Sequence, residues 1–373
     1  MDDFYGNGLT TASQAAIRHY DRAVDAHLRA WPGVLESVEA ATAEDPEFAL
    51  PHSLKALVLA GRGRRAEARD AIATARARAV RAQPREQSHV ELISAIVEGR
   101  AGDALAKVVE HAGLYPTDVL SASTALGAYG LFAFSGRADH DAARLAFTEA
   151  LAEHLPSDLP WLMAYRGWAR IETGQAGEGL AMARRALALR PDNGHNAHIV
   201  LHGLFESGAP GAALEFVDAW LPTYPEDALM WGHLNWHAAL SEIELGELDA
   251  AVARLMGPIA DYLPRGTPFM GLPDVVALLW RLGLLGVRGL PWGIAHEHVA
   301  RHFPNGSNVF GELHLTMLAA ARADRPALTA TLSRLEAIGE RGHAGALVAV
   351  RLGGSHAQRC IVDQTRDALR LPS

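Results

Sequence analysis

Apolar residues recur at spacings of three and four along almost the whole chain, the period of an amphipathic helix, and the runs they form are separated by prolines and glycines. No stretch shows the Val, Ile and Thr alternation of a strand bounded by turn residues, so the pattern predicts an all-α protein. The glycines that close helical runs fall at positions 61, 99, 136, 174, 208 and 246, a step of 34 to 38 residues. Prolines closing the following run fall at 116, 156, 191 and 225. A helix–turn–helix unit of this length, repeated, predicts a tetratricopeptide-like solenoid of helical hairpins.

The cleanest copy runs from Leu159 to Asn193. With Gly174 at position 15 of a 34-residue unit, Gly167 takes position 8, Gly179 position 20, Ala186 position 27 and Pro191 position 32. Small residues at those places let the two helices of a hairpin approach closely. The next copy repeats the register with Gly208, Ala213 and Pro225. Residues 264–275 are dense in proline and glycine and read as a loop. Beyond it come helical runs near 274–286, 291–303, 309–322, 325–341 and 355–370. The expected division is therefore 1–263, the hairpin repeats, and 264–373, additional C-terminal helices packed on them.

The same register points at chemistry. In such a hairpin the first helix presents positions 2, 5, 9, 12 and 13 to a groove. One copy places His198 and His202 at positions 5 and 9, and the next places His233 at position 2 and Trp236 at position 5, with His237 one turn after His233. Two successive helices each carrying an HxxxH pair predict a histidine-lined pocket that holds a divalent metal (zinc, manganese or iron) or works as acid and base on a small molecule. Glu312 and His314 start a later helix and extend the set. The HExxH zincin pattern is absent, since Ile199 and Leu234 follow the leading histidines. Trp231, Trp236 and Trp292 are candidate pocket walls, and Arg281 a candidate anion clamp. Ser355 caps a helix entered through Gly353 and Gly354, where an anion could sit. His296, His298 and His302 read as surface residues, and Cys360 has no assigned role.

At these residues the chain resembles the tetratricopeptide repeat protein 38 family, bacterial branch. The resemblance rests on Asp45-Pro-Glu-Phe-Ala-Leu-Pro-His52, the His198/His202 pair, His233-Leu-Asn-Trp236-His237, Leu279-Trp-Arg-Leu282, Glu312-x-His314 and Gly353-Gly-Ser-His356-Ala-Gln-Arg359. It implies a helical solenoid with a histidine-lined interior, and extends the candidate substrate contacts to Phe205, His356 and Arg359 beside Trp236. The family tends to have a glutamate at Phe205 and aspartates at Glu312 and Cys360. The resemblance supplies no reaction.

Composition narrows the classes. A formal charge of −9 and a pI near 6.0 leave no excess of cations for phosphates, which argues against nucleic acid as a partner. The most apolar stretch, 272–290, contains Asp274, Arg281 and Arg288, too many charges for a membrane span. A single cysteine allows no internal disulfide, and the opening Met1-Asp2-Asp3-Phe4 lacks the basic and apolar regions of a signal peptide. The expectation is a cytoplasmic protein, possible as a homodimer, acting on a small molecule as a hydrolase or lyase. The alternative is a tetratricopeptide-type scaffold for a peptide or partner protein; its usual clamp of lysines and arginines is missing from the best-registered groove helices.

Overall fold

The computed structural model describes residues 1–127 and 129–340. They are helical without a strand; an isolated bridge joins Asp2 and Gly8. The chain forms two compact units. Unit 1 comprises residues 1–135 and 139–200, unit 2 residues 136–138 and the chain from 201 onward. Unit 1 holds α1 (Gln14–Leu28), α2 (Val34–Glu44), α3 (Ala49–Gly61), α4 (Arg65–Ala79), α5 (Pro84–Val97), α6 (Ala101–Leu114), α7 (Val119–Ser123), α8 (His140–Ala152), α9 (Pro160–Glu172), α10 (Ala176–Leu189) and the first half of α11 (Gly194–Glu206). Unit 2 holds the second half of α11, then α12 (Pro210–Trp220), α13 (Trp231–Glu244), α14 (Leu248–Arg254), α15 (Ala260–Tyr262), α16 (Pro268–Leu284), α17 (Trp292–His302), α18 (Val309–Ala321) and α19 (Arg325–Glu340). No helix among the described residues is long and apolar enough to cross a membrane.

The hairpin turn recurs in one chemical form. Gly99, Gly174, Gly208 and Gly246 all have positive φ just past a helix, where a side chain would be strained. The next residue's N–H then reaches back to a carbonyl five residues earlier: Arg100 to Ala95, Gln175 to Arg170, Ala209 to Leu204 and Glu247 to Glu242. In the first such hairpin the positive-φ residue is Gly63 rather than Gly61, which is the last residue of α3. Prolines start α5, α9, α12 and α16 at the first turn, where a missing N–H leaves nothing unsatisfied.

Sequence neighbours pair: α1 with α2, α3 with α4, α5 with α6, α9 with α10, α18 with α19. The seam of the α9–α10 hairpin is the close approach that the repeat register predicts. A Cβ on Gly167 would lie 2.7 Å from the Gly179 carbonyl oxygen, and one on Gly179 would lie closer still to that of Gly167.

The stretch 264–275 departs from its reading as a loop. Pro268 opens α16, and the helix runs on through Gly271 and Pro273. Residues 272 to 282 are buried without interruption, so tertiary burial overrides the local proline and glycine preference. Leu272, Val275, Val276, Leu278, Leu279 and Leu282 form the centre of the unit 2 core with Leu255, Ile259 and Leu315. The separation into units falls inside α11, at 200/201. The helical run expected at 355–370 lies outside the described residues.

Candidate functional site

In unit 2 the N-terminal part of α13 carries Gly232, His233, Trp236 and His237 on a helix that is buried from 232 to 242. Tyr262, at the end of α15, packs on it closely enough to exclude a side chain at Gly232, where a Cβ would run into the tyrosine ring. Tyr262 in turn donates its hydroxyl to the Ala228 carbonyl at 2.8 Å, which fixes the start of α13. Three imidazoles meet here. The His233 and His237 rings are 4.8 Å apart, and the His202 ring, from α11, is 4.8 Å from that of His237. Trp236 stacks on His233 with ring centres 5.3 Å apart and planes 10° from parallel.

His233 is oriented by a carboxylate. Its Nδ1–H donates to Asp274 Oδ1 of α16 at 2.8 Å, and both side chains are buried. An ionised carboxylate only accepts, so this bond places a ring proton on Nδ1. The same second-partner arrangement orients ligating or basic imidazoles generally. His237 is pushed well below the ordinary histidine range by burial, with the charges of His233, His202 and Arg281 adding to it, so it is neutral at pH 7. Beside the His233–Asp274 pair lies a cavity of about 10 Å³, room for about one water.

Arg281 completes the cluster. It is 8% exposed, and its guanidinium sits 5.5 Å from the centre of the Trp236 ring. Burial lowers its pKa to about 9, a low value for a guanidinium. His314 of α18 is also buried, bonds the Phe310 carbonyl through Nδ1 at 2.8 Å, and is depressed to about 4 by burial, with Arg281 contributing.

Of the residues expected from the sequence, His202, His233, Trp236 and His237 are thus brought together. Phe205 packs on the edge of the unit 2 core. His198, one helical turn before His202, is buried in unit 1 with its ring 5.6 Å from that of Trp168. Glu312 stands apart: its carboxylate accepts from the Ser307 amide at 2.6 Å and from Arg334 at 3.0 Å. It closes the start of α18 rather than joining the imidazoles. His298 differs from its reading as a surface residue. It is buried and donates through Nε2 to the Pro268 carbonyl at 2.8 Å, because its face of α17 packs on the start of α16. His302 and His296 are exposed. Ser355, His356, Arg359 and Cys360 lie outside the described residues.

A second polar cluster, in unit 1, was not singled out by sequence reasoning. Asp118, 4% exposed at the start of α7, receives Arg85 Nη1 at 2.6 Å, His89 Nδ1 at 3.0 Å, His111 Nε2 at 3.2 Å and the Ser121 amide at 3.2 Å. These partners hold its carboxyl well below the ordinary value despite complete burial. The ligating atoms of His89, His111 and Asp118 lie within 4.8 Å of one another, a spacing a metal ion could bridge. Arg85 already supplies the positive charge there, and the cluster reads as a buried ion-pair network. Arg85 Nη2 also bonds the Gly8 carbonyl at 3.2 Å, and the Asn7 amide donates to the Thr117 carbonyl and accepts from the Thr117 hydroxyl, so the network ties down the N-terminal segment. The signal in the sequence was Arg85 and His89, four apart, heading the apolar stripe that continues through Leu92 and Ile93.

No family model matches the chain. Among solved structures, it is similar to the crystal structure of the P58(IPK) TPR domain, with 13% sequence identity and a TM-score of 0.24, over 95% of this chain and 89% of that one. At that level of superposition nothing about function transfers.

Proposed function

We propose that the chain is a tetratricopeptide-type binding scaffold and that unit 2 holds a peptide segment of a partner protein. The observation that supports this is a surface groove of about 390 Å³ formed by the end of α16, the 285–291 turn, the start of α17 and Ala321 of α18. Trp280, Leu284, Val287, Leu290 and Trp292 line it, and Arg288 supplies the one charge among the described residues of the lining. Leu284 is 49% exposed, a large apolar side chain left in water. The Trp280 indole N–H is buried and has no acceptor among the described residues. Such a lining suits an apolar anchor on a peptide, a peptide carbonyl for the indole, and an acidic residue for Arg288.

The test is selection from a displayed random peptide library on the purified chain. The expected outcome is an enriched consensus with an apolar anchor and an acidic neighbour. Its binding is lost in Leu290→Asp, and the acidic preference is lost in Arg288→Glu. No consensus, or a consensus that binds Leu290→Asp equally well, contradicts the proposal.

One observation favours a second reading, a small-molecule hydrolase or lyase: the His233–Asp274 pair beside the neutral imidazole of His237. His233 is oriented by that carboxylate as an acid–base group, and His202 and His237 offer nitrogen ligands to a divalent ion such as zinc, manganese or iron. This is also where the resemblance to the tetratricopeptide repeat protein 38 family belongs, since the His233 and Arg281 motifs both fall in this cluster. Elemental analysis of the wild type and of His237→Ala tests the metal. Equal, near-zero metal in both removes it.

A further inference from the structure

Arg281 sits in unit 2 with no acid of a described residue paired to it. Its Nη1 is 3.4 Å from the Ala277 carbonyl of its own helix, a long contact, and its Nη2 is buried with no hydrogen-bond partner among the described residues. No carboxylate of a described residue lies within ion-pair distance of it, and the acid whose charge reaches it, Glu244, is exposed. The groups that face it are the Trp236 ring and the imidazoles of His237 and His314, none of them anionic. A buried guanidinium with an idle N–H edge is costly, and a carboxylate is the partner that matches its fork in two parallel bonds.

The surrounding charge decides between anions. Asp274 stands two helical turns before Arg281 on α16 and bonds His233, whose ring stacks on Trp236, the same ring that Arg281 covers. One negative charge is therefore already present in the cluster. A singly charged ligand suits the site better than a dianion such as a phosphate monoester.

We infer that the buried cluster around Arg281 in unit 2 is a binding site for a small monocarboxylate, with Arg281 as the clamp and Trp236 as the wall. His237 can donate a ring N–H to the same carboxylate. The inference concerns ligand class at the histidine cluster. It stands on the unpaired guanidinium and requires neither turnover nor the peptide groove.

The test is thermal unfolding of the full chain with formate, acetate and lactate, against chloride and inorganic phosphate at equal ionic strength. The carboxylates are expected to raise the melting temperature of the wild type in a concentration-dependent way. Arg281→Gln should abolish the shift, and Arg281→Lys should weaken it. Ligand-free Arg281→Gln should melt no lower than the wild type, because it removes an unpaired buried charge; a merely structural arginine would lower it. Shifts no larger than those of chloride, protection retained in Arg281→Gln, or protection by phosphate alone would each overturn the assignment. A failure of peptide selection or of metal analysis leaves this result untouched, since binding is read directly.

Discussion

Neutralising Asp118 is the sharpest perturbation available in unit 1. Asp118→Asn keeps the size of the side chain and removes its charge, leaving Arg85, 7% exposed, without the carboxylate 2.6 Å away. Removing one partner of a buried pair costs about 3–5 kcal/mol. Asp3, whose charge also reaches Arg85, places the expectation at the lower end, about 3 kcal/mol. For a unit of this size each kcal/mol moves the melting temperature by about 2–4 °C, so the variant should melt about 6–12 °C lower. Circular dichroism measures the loss, and hydrogen exchange at α5, α6 and α7 locates it. Replacing both partners with apolar residues, Arg85→Met with Asp118→Leu, should recover most of the loss because no buried charge is left over. The pH dependence has a fixed sign. The folded carboxyl titrates well below the ordinary value of 3.8, so its contribution is complete above the unfolded value and drains away as the pH falls through the folded one. An Asp118→Asn variant that melts within about 1 °C of the wild type, or a double variant no better than the single, would refute the ion-pair reasoning.

Gly167→Ala and Gly179→Ala should each destabilise unit 1 by about 1–3 kcal/mol, through overpacking of the α9–α10 seam. Gly177→Ala, whose Cβ would meet nothing within 4 Å, should be neutral or stabilising by up to about 1 kcal/mol in the same melts. Gly246→Ala, at φ 80°, should cost about 1 kcal/mol in urea unfolding of unit 2. His314 titrates near 4 when folded, so unit 2 should lose stability as the pH falls from about 6.5 toward 4, and His314→Leu should flatten that part of the curve.

The repeat was legible because it is local. A glycine past each helix and small residues at positions 8 and 20 announce the turn and the seam, and both are found at Gly174, Gly167 and Gly179. The start of α16 was not legible, because Pro268, Gly271 and Pro273 have the composition of a loop and only the buried run 272–282 holds them helical. Within the candidate site, spacing along α13 placed His233 and His237 together. Their partner Asp274 is 41 residues away and entered only through the packing of α16 on α13. Glu312 shows the converse: two residues from His314 in sequence, it turns to Ser307 and Arg334, because residues two apart on a helix face different sides. Asp118 escaped notice for the same reason as Asp274, since its partners come from α5 and α6.

Hydrogen exchange of the full chain with and without a library-selected peptide tests the scaffold reading most directly. Protection is expected to concentrate at residues 280–292, across the end of α16 and the turn into α17, and to vanish in Leu290→Asp. Protection that falls elsewhere and leaves 280–292 unchanged would contradict it.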